Sequence, residues 1–175
     1  MDKLLKEKGF DLPSHNDYKN LPRSRKWNRG HMVQFDDARG YGEKAAEESF
    51  YTTNICPQLG AHNQRGWLAL EQRCTEFARD YNVVWIYTGP IYGKDKVPFA
   101  EGRNIPNPAA FYKIVVSVNE DSKGVKVLAF KTPHEPIPRN ADLSKYLVSV
   151  REIENETGLN FLHEHASSEC YNSMS

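Results

Sequence analysis

Apolar residues recur at helical spacing in the segment that follows residue 61. Six of them each have neighbours three or four residues away in this set: Trp67, Leu70, Cys74, Phe77, Ala78 and Tyr81. Such spacing brings the side chains onto one face of a helix. We therefore predict a long helix from about residue 61 to Asp80, with Trp67 in the core.

Three later segments are rich in β-branched and aromatic residues, which is typical of strands in a central sheet. They are residues 82–89, 111–118 and 125–132. The polar residues 119–124 predict a hairpin-like connection between the last two. Residues 90–108 are dense in glycine and proline, and we expect them to form a long surface loop.

The two ends of the chain carry weaker signals. Residues 1–26 are polar and contain two prolines, so we predict a short first helix followed by irregular structure. Ser149 and Glu152 have the spacing of a capping box, and Gly158 follows where a helix would end. These elements indicate an α+β fold, with a mixed, largely antiparallel sheet flanked by helices.

Composition limits the kind of protein this is. With 175 residues, 39% hydrophobic and 26% charged, the chain is expected to form one soluble globular domain over residues 1–175. Its 23 basic and 23 acidic residues balance, which argues against a uniformly basic nucleic-acid coat. Any phosphate binding must therefore be local.

The sequence also bears on the compartment. No apolar run approaches the roughly 18 residues that a membrane span needs, so we expect no membrane partner. Lysine and glutamate interrupt the first ten residues, where a signal peptide would be apolar. We expect a cytoplasmic protein as given, or a secreted one if a leader was removed. The three cysteines form no CxxC pair, which disfavours a structural zinc site.

One basic cluster stands out against the zero net charge. Residues 22–32 include Arg23, Arg25, Lys26 and Arg29, and the cluster ends on His31. A histidine whose ordinary pKa is about 6.5 can accept a proton from water near neutral pH. An arginine offers a planar donor fork for phosphate oxygens, and the intervening glycine lets the backbone approach a ligand closely. This predicts an anion site beside a proton acceptor.

Residues 54–71 form a second candidate region. Asn63 lies near the start of the predicted helix, and its carboxamide oxygen is a hard, neutral ligand suited to Mg²⁺. Glu71 lies about 80° further round that helix and about 12 Å along its axis. Both side chains therefore cannot comfortably ligate one small ion. Glu71 is instead expected to reach a water held by the ion, because helical side chains lean toward the amino end.

Two motifs in order resemble the DNA/RNA non-specific endonuclease family, the ββα-metal or His-Me finger nucleases. They are RGH and, further along, N-x-x-P-Q-x-x-x-x-N-x-x-x-W-x-x-x-E. Three later stretches also resemble the family, so that the likeness covers about residues 20–165 and leaves a polar tail at 166–175. The later stretches are YTGPIY, IPNPAAFYKIVV and EIENETGLNFL.

The resemblance implies a metal-dependent hydrolase that cuts DNA and RNA with little sequence specificity and leaves 5′-phosphate ends. It implies His31 as general base, Arg29 as phosphate ligand and Asn63 as the single protein ligand of Mg²⁺, with Mn²⁺ or another divalent ion as alternatives. Asn54 and Glu71 would support catalysis. Gln58 and Arg29 would contact nucleic acid. Apart from the resemblance, Arg25 and Arg23 are candidates for a further phosphate contact. A homodimer is left open.

The motif departs from the family at Asn28, where the family commonly has aspartate. This change motivates an alternative function, a weakened or inactive nucleic-acid-binding relative. A phosphodiesterase acting on small nucleotides is a third hypothesis, but no base pocket is recognisable in the sequence. Arg23, Arg25 and Lys26 are equally compatible with a solvated basic loop.

Two further histidine positions need an interpretation. We expect His62 to lie on the surface of the helix. The cluster HEH at residues 163–165 lies in the polar tail, and we interpret it as surface or disordered rather than as a metal site.

Overall fold

The computed structural model describes residues 2–9, 13–19, 27–119 and 124–161. Several predictions lie outside these residues: the basic side chains at 23, 25 and 26, most of the hairpin connection, and the tail with its HEH cluster. The helices are α1 (Asp2–Glu7), α2 (Phe35–Gly40), α3 (Glu43–Glu48), α4 (Leu68–Tyr81) and α5 (Val150–Thr157), with 3-10 turns at His15–Tyr18, Thr52–Asn54 and Leu143–Tyr146. The strands are β1 (Trp27–His31), β2 (Ile55–Leu59), β3 (Trp85–Tyr92), β4 (Pro108–Asn119), β5 (Gly124–Pro133) and β6 (Leu147–Val148).

The strands form two antiparallel sheets. β1 pairs with β2, with Gly30 opposite Cys56 and His31 opposite Ile55. The second sheet has the order β3-β4-β5-β6, and all its pairs are antiparallel. The prediction of an α+β fold with a largely antiparallel sheet is confirmed. No helix in the described part of the chain is long and apolar enough to cross a membrane.

β4 is the centre of the fold because it is buried on both faces. Successive side chains of a strand point to opposite faces of a sheet. On one face they pack in a cluster with α5, and on the other in a cluster with α4. The first cluster contains Ile91, Ala110, Tyr112, Ile114, Val116, Ala129, Ile153 and Phe161, and the second contains Cys56, Trp67, Leu70, Cys74, Phe111, Val115 and Phe130.

The long helix and its burial are confirmed. α4 ends at Tyr81, and a π-helical segment, His62–Trp67, precedes it. Trp67 is fully buried, as predicted. The last helix also begins and ends as predicted, since Ser149 Oγ accepts a hydrogen bond from the Glu152 amide and Gly158 adopts a φ of 70°.

The predicted limits of β3 are wrong at both ends. Its first predicted residues belong to a turn in which Asn82 has a φ of 65°, and the strand begins at Trp85. It then continues through Pro90 to Tyr92, where the sequence predicts a loop. Proline is tolerated there because β3 is an edge strand of the four-stranded sheet, where a missing amide proton disrupts no ladder.

The loop after β3 is more firmly attached than a surface loop would be. Phe99 is buried, and its amide donates to the Ile105 carbonyl at 3.0 Å. The Phe99 ring packs edge-on against Trp27 of β1, at 5.3 Å between centroids. This loop therefore supports the first strand of the small sheet.

Two histidines, His62 and the half-buried His134, join the two sheets. His134 Nε2 accepts from the Leu59 amide at 2.8 Å, and its Nδ1 lies 2.9 Å from the Pro108 carbonyl oxygen, to which it donates. His62 Nδ1 accepts from Gln58 Nε2 at 2.8 Å, and its Nε2 donates to Thr132 Oγ1 at 3.0 Å. The prediction that His62 lies on the surface is wrong, because its ring is fully buried between β2 and β5.

These histidines should make the fold sensitive to acid. Burial lowers the pKa of His62 to about 3, and burial also lowers the pKa of His134. Below the unfolded value of about 6.5, the unfolded chain binds protons that the folded chain does not. His62 alone should thus reduce the free energy of unfolding by about 1.4 kcal/mol per pH unit as the pH falls from 6.5 toward 3.

Urea unfolding of the parent and of His62→Gln between pH 3.5 and 8 measures this effect. The variant should lose stability less steeply than the parent over that range. His15→Gln, which changes an exposed histidine, is the control and should follow the parent. Parallel curves for the parent and His62→Gln would contradict the assignment.

Candidate active site

The end of β1 and the π-helical segment border one cavity of about 520 Å³. Three of the predicted site residues, Arg29, His31 and Asn63, line it together. Asn54, Gln58 and Glu71 do not. The complete lining is His15, Trp27, Asn28, Arg29, His31, Phe50, Ile55, Asn63 and Gln64.

His31 is the last residue of β1 and is held by its surroundings. Its ring packs edge-on against Phe50, at 5.1 Å between centroids and 83° between planes. Burial, and to a smaller extent the positive charge of Arg29, lowers the pKa of His31 below its ordinary 6.5. Its imidazole is therefore neutral at pH 7. Nε2 is shielded from solvent and has no hydrogen-bond partner in the described part of the chain.

Gly30 is required by packing against the neighbouring strand. A Cβ at this position would lie 2.8 Å from the Cβ of Gln58 and closer still to Gln58 Oε1. Gln58 cannot move aside easily, because it is fully buried and its amide nitrogen donates to His62. The glycine thus brings β1 close to a protein side chain rather than to a ligand.

The burial of Gln58 corrects one of our predictions. A side chain with no exposed area cannot touch a substrate, so the predicted contact between Gln58 and nucleic acid is not supported. The residue instead connects β1 to the helical segment that carries Asn63. Gln58 therefore affects the cavity by holding β1 and this segment in place.

Asn63 lies in the first turn of the π-helical segment. Its side chain is half-buried, faces the cavity and makes no hydrogen bond within the described part of the chain. Among the described residues no group of three or more His, Cys, Asp or Glu could hold a metal ion. A single free carboxamide in a polar cavity fits an ion such as Mg²⁺, which keeps most of its water ligands.

Arg29 is exposed at the mouth of the cavity. Its Nη1 lies 3.5 Å from Nδ1 of His15, a residue of the 3-10 turn that sequence reasoning did not single out. The guanidinium makes no ion pair within the described residues, which leaves its donors available to an anion. Arg23 and Arg25 lie outside the described residues.

The Asn54 side chain connects the segment after β1 to the segment after α3. Its Oδ1 accepts from the Val33 amide at 2.9 Å, and its Nδ2 donates to the carbonyls of Val33 at 3.0 Å and Ser49 at 2.8 Å. It therefore holds the chain two residues after His31 and directly before Phe50. Within the described residues, these bonds give Asn54 a structural role.

Glu71 is buried and is therefore not a solvated position on the surface of α4. The pKa of Glu71 is raised to about 7, because the effect of burial exceeds the opposing effect of the Lys113 charge. Lys113 is itself buried, donates to Thr88 Oγ1 at 3.0 Å and lies 4.8 Å from the centroid of the Trp67 ring. Glu71 thus shares a low-dielectric region with a buried cation.

Phe50 and Trp27 are cavity residues that the sequence did not reveal. Neither belongs to the two motifs, and an aromatic residue in sequence is more often core than site. Only the three-dimensional structure places them in the cavity.

A model of the family described as DNA/RNA non-specific endonuclease matches residues 6–168. The chain belongs to this family. The resemblance read from the two motifs is therefore confirmed.

Relatives of this endonuclease family member are nucleases by name. The chain is 32% identical over 149 residues to "Nuclease 1, mitochondrial" of Schizosaccharomyces pombe, which covers 78% of this chain and 46% of that protein. It is 28% identical over 145 residues to "Endonuclease G, mitochondrial" of Homo sapiens, which covers 78% and 48%. The chain spans about half the length of the curated relatives that it matches.

A solved structure agrees with the fold. The EndoG/EndoGI complex, described as showing the mechanism of EndoG inhibition, contains a chain that matches with a TM-score of 0.76 and 25% identity. The match covers 88% of this chain and 64% of that chain. The strand-strand-helix frame around the cavity thus lies within a known endonuclease fold.

Gly30→Ala should disturb the frame of the cavity. The added methyl group collides with Gln58, and overpacking of this kind typically costs about 1–3 kcal/mol. We expect the free energy of unfolding in urea to fall by that amount. The loss should be smaller in a Gln58→Ala background, since contacting residues do not behave additively.

Gly40→Ala is the matched control, because a Cβ at residue 40 meets nothing within 4 Å. It should leave the unfolding free energy nearly unchanged. Equal costs for the two glycine variants would argue against a tight contact between β1 and β2.

Proposed function

We propose that the chain is a metal-dependent endonuclease that hydrolyses phosphodiester bonds of DNA and RNA with little sequence specificity and leaves 5′-phosphate ends. The observation that carries this proposal is the meeting of Arg29, His31 and Asn63 in one cavity. The names of the relatives support it. Arg29 would supply an anion ligand, His31 a neutral base and Asn63 a free metal ligand.

His31 is the proposed general base. Its depressed pKa keeps it neutral, which a base requires. Because Nε2 is shielded, we assign the resident proton to that atom and the reactive lone pair to Nδ1. His31 Nδ1 then accepts the proton of the attacking water.

Arg29 and Asn63 complete the proposed machinery. The exposed Arg29 guanidinium binds oxygens of the scissile phosphate and offsets the charge that develops there. Asn63 Oδ1 holds a divalent ion, Mg²⁺ or alternatively Mn²⁺. When bound, such an ion stabilises charge on the phosphate and on the leaving oxygen.

Three further residues have proposed supporting roles. Glu71 lies on the helix that continues from Asn63, and we assign it to the water shell of the ion. Arg23 and Arg25 lie beyond the described residues, and we assign them phosphate contacts outside the scissile position. Such contacts to phosphate and sugar carry little sequence information.

Incubation of the purified chain with plasmid DNA and with RNA tests this function. We expect cutting of both substrates that requires a divalent ion and stops in EDTA. His31→Ala should lower the cleavage rate about 10²- to 10⁴-fold, the usual contribution of general base catalysis. Metal-independent cutting, or equal cutting by His31→Ala, would defeat the mechanism.

A second pair of variants tests the ion. Asn63→Ala should raise the Mg²⁺ concentration that gives half-maximal rate. Asn140→Ala changes an exposed asparagine outside the cavity and is the matched control. Thermal unfolding of all variants verifies that they fold.

Asn28 lines the cavity where the family commonly has aspartate. No observation favours the alternative of an inactive relative, but Asn28 removes a negative charge from this site. We expect Asn28→Asp to lower the half-saturating Mg²⁺ concentration about 10-fold, within the 10- to 100-fold range of residues that support metal ligands. Titration of the cleavage rate with Mg²⁺ measures this, and an unchanged midpoint would refute it.

A homodimer remains a prediction. β3 forms an edge of the four-stranded sheet, and Trp85 on it is 52% exposed. Sedimentation of the purified chain decides the oligomeric state.

A further inference from the structure

Two phenyl rings form an exposed aromatic ledge beside His31. We use this name for Phe35 and Phe50, which pack together with 5.4 Å between ring centroids. Phe50 is 49% exposed and lines the cavity, and Phe35 is 36% exposed. Neither belongs to the two core clusters. Phe50 contacts the His31 ring, and the Arg39 guanidinium lies 5.8 Å from the Phe35 centroid, but both rings keep apolar surface exposed beside the cavity.

Phe50 is held in place despite its exposure. The Asn54 side chain fixes the Ser49 carbonyl directly before it, and the Phe50 amide donates to the Glu47 carbonyl at 3.1 Å. Its ring stands edge-on to His31 at 5.1 Å. The other large aromatic residue of the cavity, Trp27, differs because it packs against Phe99 and His134.

We propose that Phe50, supported by Phe35, is a base-binding subsite that stacks on the nucleobase next to the scissile phosphate. This rests on the proposed function, since Arg29 and His31 in the same cavity would hold that phosphate. Successive nucleotides of a strand rise by only about 3.4 Å, so the flanking base comes close to the His31 ring and its neighbour. Every base has a π face, so stacking is compatible with low sequence specificity.

The charge around the ledge favours an unpaired strand. Residues 35–48, which contain α2 and α3, carry five carboxylates and only two cations. These carboxylates would repel the second backbone of a duplex lying across the ledge. A base inside a duplex also has both faces covered by its neighbours. The subsite therefore takes a single-stranded or extruded nucleotide of DNA or RNA.

Single-stranded oligonucleotides that carry one abasic position, moved stepwise along the sequence, test the subsite. We expect cleavage at the bond adjacent to the missing base to fall about 5- to 150-fold relative to the intact strand. Phe50→Leu should remove this discrimination, because leucine keeps apolar bulk without a π face. Phe50→Tyr should retain it.

The design separates stacking from other effects of the substitution. The comparison is a ratio between substrates, so a general loss of rate does not alter it. Assays at pH 8 keep His31 deprotonated whether or not the Phe50 ring packs against it. Tyr41→Ser is the control, because Tyr41 is 89% exposed near the same acidic helices but outside the cavity. It should behave as the parent.

Binding in EDTA gives a readout that does not need cleavage. The parent should bind an intact oligonucleotide more tightly than an oligomer of the same length that lacks all bases. Phe50→Leu should reduce that ratio at least about fivefold. If the chain discriminates in binding but never cuts, the endonuclease function is wrong and the subsite stands. If Phe50→Leu changes neither ratio, the subsite is wrong even though cutting continues.

Discussion

The close contact between Gly30 and Gln58 is the constraint on which the cavity depends. Because residue 30 has no side chain, β1 approaches β2 closely enough for Gln58 to fill the space between them. Gln58 then donates to His62, which directly precedes Asn63. One chain of contacts thus connects the strand that ends in the proposed base to the helical turn that offers the proposed metal ligand.

The larger sheet supplies the support for this frame. β4 is buried on both faces, and the side that faces α4 contains Lys113 as well as apolar side chains. A buried cation is costly unless something compensates its charge. Here Thr88, the face of Trp67 and the charge of Glu71 do so. The core between β4 and α4 consequently contains one polar region, which includes Lys113 and Glu71.

The sequence predicted the parts of this molecule that depend on local order. Helical periodicity located α4, and the two motifs indicated His31 and Asn63, which line one cavity in the structure. His62 was missed because its partner Thr132 lies 70 residues away, and hydropathy carries no information on such pairs. The continuation of β3 through Pro90 was missed because only the strand order reveals an edge. No sequence pattern marks Phe50, because its exposure and its contact with His31 are set by the tertiary fold.

The three hydrogen bonds of Asn54 have a consequence for how the cavity receives its ligand. One side chain fastens the backbone after His31 and the backbone before Phe50 to the same point. The segment that follows His31 and the segment that precedes Phe50 are therefore held at a set distance from each other. A ligand of the proposed kind would have to fit a spacing that the fold has already set.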